Sequence, residues 1–172
     1  MNLADILLDK GIKKLEARTM IVKGILDGSY SIDDIEAAAK ALKNNKVSTL
    51  LEAIEEITNK GLMNLSVDYL KLAKNYIAVD DNSCKREASR IIGNMASIYP
   101  DEVHDCISAL LHNTKNDGTV VRWGSAYALS RIIVLADYCN TDLYETLITI
   151  CESESENGVK NQYLKAFRKI KR

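Results

Sequence analysis

The sequence holds one proline, Pro100, and only eight glycines in 172 residues. Alternating apolar runs are also few, and together these scarcities exclude an all-β fold, which needs frequent turn residues and period-two segments. No apolar stretch approaches the roughly 20 residues that a bilayer span requires, so no membrane protein is expected. Net charge is missing too: 23 Lys plus Arg stand against 24 Asp plus Glu, a formal balance of −1. That removes any general pull toward nucleic acid or acidic membrane and leaves only a local patch open. The start, Met1-Asn2-Leu3-Ala4-Asp5, lacks a basic region followed by an apolar one, which argues against secretion.

The motifs that carry chemistry are scarce as well. Glycine-rich phosphate loops and the HExxH zinc motif are absent. The four cysteines, Cys84, Cys106, Cys139 and Cys151, form no CxxC pair, and their gaps of 22, 33 and 12 residues fit no common zinc frame. Three of them fall among apolar helical positions, where a thiol serves as a small hydrophobe. Reduced thiols in a cytoplasmic protein are therefore expected, with no metal and no cofactor. His104 with Asp101, Asp105 and Cys106 matches no known ligand spacing, and Cys106 on an apolar face is a poor nucleophile. Glu52, Glu55 and Glu56 follow helical spacing and read as a solvated face. No catalytic constellation emerges and no small-molecule substrate is evident, so a non-enzyme is expected.

What is present is helix. With 47% hydrophobic and 27% charged residues, the chain is expected to fold as one domain, 1–172, burying roughly 70% of its unfolded surface. Ser31-Ile32-Asp33-Asp34 starts a helix in the manner of a capping box, with Ile35, Ala38, Ala39 and Leu42 on one face. Val47, Leu50, Leu51, Ile54 and Ile57 form the next stripe, ended by Asn59-Lys60-Gly61. Another helix starts at Asn64 or Ser66, and further ones are predicted over about 83–98, 101–113, 119–136, 141–153 and 157–171. Residues 2–27, with Gly11 and Gly24 inside, read as one kinked helix or two. About eight or nine helices follow.

A period runs through the second half. Lys85, Arg122 and Lys160 stand 37 and 38 residues apart. One position before them come Cys84, Val121 and Val159; three after, Ala88, Ser125 and Tyr163; four after, Ser89, Ala126 and Leu164. Six and seven after come Ile91/Ile92, Ala128/Leu129 and Ala166/Phe167, and ten after come Met95, Ile132 and Ile170. A two-helix unit repeated at this interval is the signature of a helical repeat array.

Asp117-Gly118-Thr119-Val120-Val121-Arg122-Trp123-Gly124-Ser125-Ala126-Tyr127-Ala128-Leu129-Ser130 resembles the second helix of a HEAT repeat. Asp80 to Met95 resembles it more loosely, with Lys85 for the arginine, and Asn157 to Ile170 departs further, carrying Tyr163 where a small residue belongs. The resemblance covers roughly residues 65–172; residues 1–64 read as irregular N-terminal helices or degenerate repeats. It implies an all-α, armadillo-like solenoid of antiparallel helix pairs, a right-handed superhelix with second helices on the concave side. It also implies that the basic residue at the register position bonds an acid of a neighbouring turn, such as Asp80, Asp81 or Asp117.

If the repeating apolar positions face inward, positions one, five and eight or nine after each basic residue form the opposite face. They are Arg86, Arg90 and Gly93/Asn94; Trp123, Tyr127 and Ser130/Arg131; and Asn161, Lys165 and Arg168/Lys169. No acid lies at these positions, although Glu87 sits beside them. The candidate partner-binding stripe is thus Arg86, Arg90, Trp123, Tyr127, Arg131, Lys165, Arg168 and Lys169. Aromatics with arginine dominate binding energy at interfaces, so a scaffold binding a protein partner with acidic groups is the expected function. The bland alternative is that Trp123 covers a neighbouring unit while Lys and Arg solvate a helix face. A second function is nucleic-acid binding, by resemblance to HEAT-like alkylpurine DNA glycosylases. Those enzymes place a carboxylate among the aromatics and this stripe has none, so glycosylase activity is not expected. The final segment Lys160 to Arg172 carries six cations, and Asp142 to Glu156 before it carries five acids. That contrast reads as dipole pairing at a helix end or as self-complementary packing.

Overall fold

The computed structural model describes residues 1–170 and is all-α, with no strand among those residues. Ten α-helices follow in order: α1 (Leu3–Leu8), α2 (Lys14–Leu26), α3 (Ile32–Ala41), α4 (Asn44–Lys60), α5 (Val67–Lys74), α6 (Asn82–Met95), α7 (Ile107–Asn113), α8 (Thr119–Ile133), α9 (Asp142–Ser153) and α10 (Asn157–Lys169). Ten exceeds the eight or nine expected, because residues 2–27 form two separate helices. Asn2 and Asp5 cap α1 reciprocally, and the chain breaks after Leu8, where the Gly11 N–H donates to the Asp9 carboxylate at 2.7 Å. Gly24, by contrast, lies inside α2 with the Tyr30 ring in the space a side chain would need.

Local signals elsewhere behave as the physics of helix ends requires. The Ser31 N–H donates to the Asp34 carboxylate at 2.8 Å while the Asp34 N–H donates to Ser31 Oγ at 3.2 Å. Gly61 ends α4 in the left-handed region at φ 61°, and the Leu62 N–H reaches back to the Ile57 carbonyl. The segment 101–113 departs from expectation, since its first half forms two 3₁₀ turns, Pro100–Glu102 and His104–Cys106. Val103 and Cys106 are both buried. A spacing of three puts them on one side of a 3₁₀ turn, which has three residues per turn.

The even-numbered helices pack in sequence, α2 on α4, α4 on α6, α6 on α8 and α8 on α10, and each odd-numbered helix packs against the one after it. Contacting residues climb together along neighbours. Lys14 and Arg18 of α2 meet Glu52 and Glu56 of α4; Glu55 and Thr58 of α4 meet Arg90 and Asn94 of α6. Arg86 and Gly93 of α6 lie against Gly124 and Ala128 of α8. Helices α2, α4, α6 and α8 therefore run parallel. The repeating apolar positions carry the core: Cys84, Val121 and Val159 are buried, as are Ala88, Ser125 and Tyr163, and Ile91/Ile92 and Ala128/Leu129. Leu164 is the exception at 40% exposed, where Ser89 and Ala126 are buried, because no further helix among the described residues packs beyond α10.

Tyrosine hydroxyls tie segments far apart in sequence. Tyr76, Tyr99 and Tyr138 donate to the carbonyls of Ala39, Leu65 and Pro100, which lie 37, 34 and 38 residues earlier. Asn113 does the same to Ile77 at 2.7 Å, 36 residues earlier. Each bond satisfies a carbonyl left over at a helix end or turn with a donor supplied from 34 to 38 residues later in the chain.

Gly93 and Gly124 let α6 and α8 approach. A Cβ at Gly93 would stand 3.0 Å from the Ala128 Cα, and one at Gly124 would stand 3.0 Å from the Arg86 Cα and 3.2 Å from its carbonyl oxygen. Gly93 is thus buried, although the sequence register puts it on the outer face. In an open helix Gly→Ala gains about 1 kcal/mol of propensity. Here the obstruction is backbone, and overpacking of this kind costs about 1–3 kcal/mol. Gly124→Ala is expected to lower stability by about 1 kcal/mol net in urea unfolding; a gain would show that the two helices separate without cost.

Candidate functional site

The face of the second helices carries the candidate residues, and the structure separates them into two groups. Toward the N-terminal side the charges are neutralised by acids brought in from neighbouring helices. The Arg90 guanidinium lies 2.8 Å from Glu55 of α4 and 3.6 Å from Glu87, and Arg86 Nε lies 2.7 Å from Glu87. Glu87 and Glu55 are buried, with side chains 2% and 8% exposed. The expectation that Glu52, Glu55 and Glu56 form a solvated face is therefore corrected. Glu52 pairs with Lys14 at 2.6 Å, and Glu56 pairs with Arg18 at 3.2 Å and Lys60 at 2.6 Å. Parallel packing of α2, α4 and α6 sets a row of carboxylates between two rows of cations.

Tyr127 is also corrected. The register puts it on the open face, yet it is only 6% exposed. Its hydroxyl donates to the Asn94 side-chain carbonyl, while the Asn94 amide donates to Thr58 Oγ1 at 3.0 Å and to Glu55 at 3.4 Å. The Arg131 guanidinium covers its ring at 3.3 Å from the centroid. On the other side, Trp123 lies 5.4 Å from Tyr127 and the Arg90 guanidinium 5.5 Å from the Trp123 ring. A face-on cation attracted by the ring quadrupole holds each aromatic in place. Trp123 itself is half-buried, packed against the core with part of the indole open.

The second group lies on α10. Lys165, Arg168 and Lys169 are exposed and have no carboxylate within salt-bridge distance among the described residues. Lys171 and Arg172, the last of the six cations in the closing segment, lie outside the described residues.

The register arginine has a structural role, with a different acid from those expected. Arg122 Nε and a terminal nitrogen donate to Glu154 at 3.0 and 3.4 Å, and the other terminal nitrogen donates to the carbonyls of Asn116 and Asp117. The carboxylate comes from the turn before α10, while Asp81 caps α6 through the Cys84 N–H. Cys106 is buried, its thiol donating to the Val103 carbonyl, and burial pushes it up to about 11. No group of three or more His, Cys, Asp and Glu among the described residues is placed to hold a metal ion. No helix among them is long and apolar enough to cross a membrane.

Four solved chains resemble this fold, whereas no family model and no curated protein matches the sequence. One is an engineered protein solved by the Northeast Structural Genomics Consortium, 18% identical, matching 98% of this chain and 79% of its own at a TM-score of 0.63. A second engineered protein from the same consortium is 16% identical over 97% of this chain and 77% of its own, at 0.58. At these identities the likeness concerns the helical fold alone.

Two of the buried carboxylates, Glu55 and Glu154, are shifted in opposite directions. Burial raises Glu55 above the ordinary value of 4.5, Arg90 offsetting this only in part and Glu87 adding to it. Burial also raises Glu154, but the Arg122 hydrogen bonds and backbone N–H groups outweigh it and hold the carboxyl below 4.5. A raised value means the folded state binds the proton more tightly. The Glu55 contribution is thus fully present below 4.5 and lost as pH rises through the folded value. That of Glu154 is present above 4.5 and lost as pH falls through its folded value. In urea titrations across pH, Glu55→Gln is expected to flatten the slope above 4.5 and Glu154→Gln the slope below it. Both variants altering the same limb would contradict the assignment. Trp123→Ala is expected to cost about 2 kcal/mol, between the cost at an open surface and that of a fully buried tryptophan.

Proposed function

We propose that the chain is a non-catalytic HEAT-type α-solenoid, a right-handed stack of antiparallel helix pairs serving as a cytoplasmic scaffold. In this reading it binds a protein partner bearing acidic groups on the concave face of the second helices. Support for the architecture comes from the parallel run of α2, α4, α6 and α8 and from hydrogen bonds that bridge residues one unit apart. The thiols of Cys84, Cys106 and Cys151 are buried and form no disulfide among the described residues, which suits a reducing compartment.

The observation that carries the binding reading is the contrast along the face. Arg86 and Arg90 spend their charge on Glu87 and Glu55, and Arg131 lies on Tyr127, so these residues hold the surface rigid. Trp123 presents part of its indole, and the adjoining α10 adds three exposed cations that have no carboxylate within salt-bridge distance among the described residues. An oriented aromatic on α8, with exposed cations on the adjoining α10, would suit a partner that offers an apolar anchor and carboxylates.

A pull-down comparing the wild type with Trp123→Ala/Lys165→Glu/Arg168→Glu tests it. Recovery of the partner should fall at least tenfold while the circular dichroism of the variant stays helical. Unchanged recovery would leave the face as plain surface. Labelled duplex DNA titrated against salt separates the nucleic-acid reading, since phosphate-driven binding weakens with a log–log slope near −0.9 per phosphate contact.

A further inference from the structure

Apolar side chains recur along one edge of the stack. Leu26 ends α2, Leu62 follows Gly61 at the end of α4, Ile98 follows α6 and Leu135 follows α8. Their separations are 36, 36 and 37 residues, one per unit. Leu26, Leu62 and Ile98 are 39%, 48% and 52% exposed; Met63 beside Leu62 is also exposed, and Leu135 is half-buried. Because α2, α4, α6 and α8 run in one direction, their C-terminal ends share an edge. A groove of about 300 Å³ adjoins that edge, lined by Asn59, Ser97, Arg131, Val134 and Leu135 among others. Other large exposed apolar residues, such as Leu8, Leu15 and Leu164, fall singly on different elements. Single exposed leucines are ordinary on any surface, whereas an aligned row is not.

We propose that this edge joins two copies of the chain about a two-fold axis midway between Leu62 and Ile98. Each copy's Leu62 and Met63 then meet the other's Ile98, and each Leu26 meets the other's Leu135, the self-complementary pattern a two-fold demands. The interval between packed helices, about 8–10 Å, sets the pitch of the row. An identical stack turned end for end reproduces that pitch at every position. The flanking charges agree with the same docking. Lys23 and Asp27 lie close in sequence to Leu26, and Arg131 and Asp137 to Leu135, so the two-fold brings together two ends that each carry one cation and one acid, the Asp27 carboxylate also accepting from Ser29. Arg131 has no carboxylate partner within its own chain among the described residues. This inference rests on the parallel helices and not on the concave binding face.

Sedimentation velocity of the full chain tests it. Between about 1 and 200 µM, a range suited to a small interface, the 19.2 kDa monomer should give way to a dimer. Ile98→Glu enters the interface twice and should raise the dissociation constant at least tenfold, whereas Leu8→Glu, equally exposed, should leave it unchanged. Lys23→Asp should weaken association, and adding Asp137→Lys should restore it. Thermal melting of Ile98→Glu matching the wild type separates lost association from lost folding. A monomer at every concentration, or a dimer that Leu8→Glu disrupts as strongly as Ile98→Glu, overturns the proposal.

Discussion

The close approach of α6 to α8 is the contact on which the rest of the structure depends. Gly93 and Gly124 face the opposite helix reciprocally, each leaving room for backbone where another residue would place a side chain. That proximity brings Arg90 of α6 within reach of both Trp123 and Tyr127 of α8, and Asn94 within reach of the Tyr127 hydroxyl. Were the helices a methyl group further apart, the cation–aromatic contacts would loosen and Tyr127 would lose the partner that justifies its burial.

Charge is arranged by the same stacking. Along α2, α4 and α6 a row of acids, Glu52, Glu55 and Glu56, lies between Lys14 and Arg18 on one side and Arg86 and Arg90 on the other, with Glu87 of α6 adding a further carboxylate. The carboxylates of Glu55 and Glu87 are buried, where an unpaired charge would be costly, so removing either cation would leave an uncompensated group. The consequence for function is that cations alone do not mark a binding surface. Arg86 and Arg90 are paired with acids of α4 and α6, whereas Lys165, Arg168 and Lys169 of α10 have no carboxylate within salt-bridge distance among the described residues.

Between helices, tyrosine provides what a purely apolar residue could not. The ring of Tyr99 or Tyr138 fills space between helices while its hydroxyl satisfies a carbonyl 34 or 38 residues earlier in the chain. Such bonds couple the stability of helices that lie more than 30 residues apart in sequence.

The sequence by itself determined the helical class, the capping box at Ser31, the stop at Gly61 and the buried positions around Lys85, Arg122 and Lys160. All of these follow from local propensity or from the 3.6-residue period, which a chain carries along its length. It left open whether residues 2–27 break, because Gly11 and Gly24 look alike until one is seen in a turn and the other against the Tyr30 ring. The pairing of Arg90 with Glu55 and of Arg122 with Glu154, and the burial of Tyr127, were decided only by tertiary structure. Each depends on which residue of a neighbouring helix arrives at a given height, and that height is set by packing distance and helix direction, neither of which a single strand of sequence records.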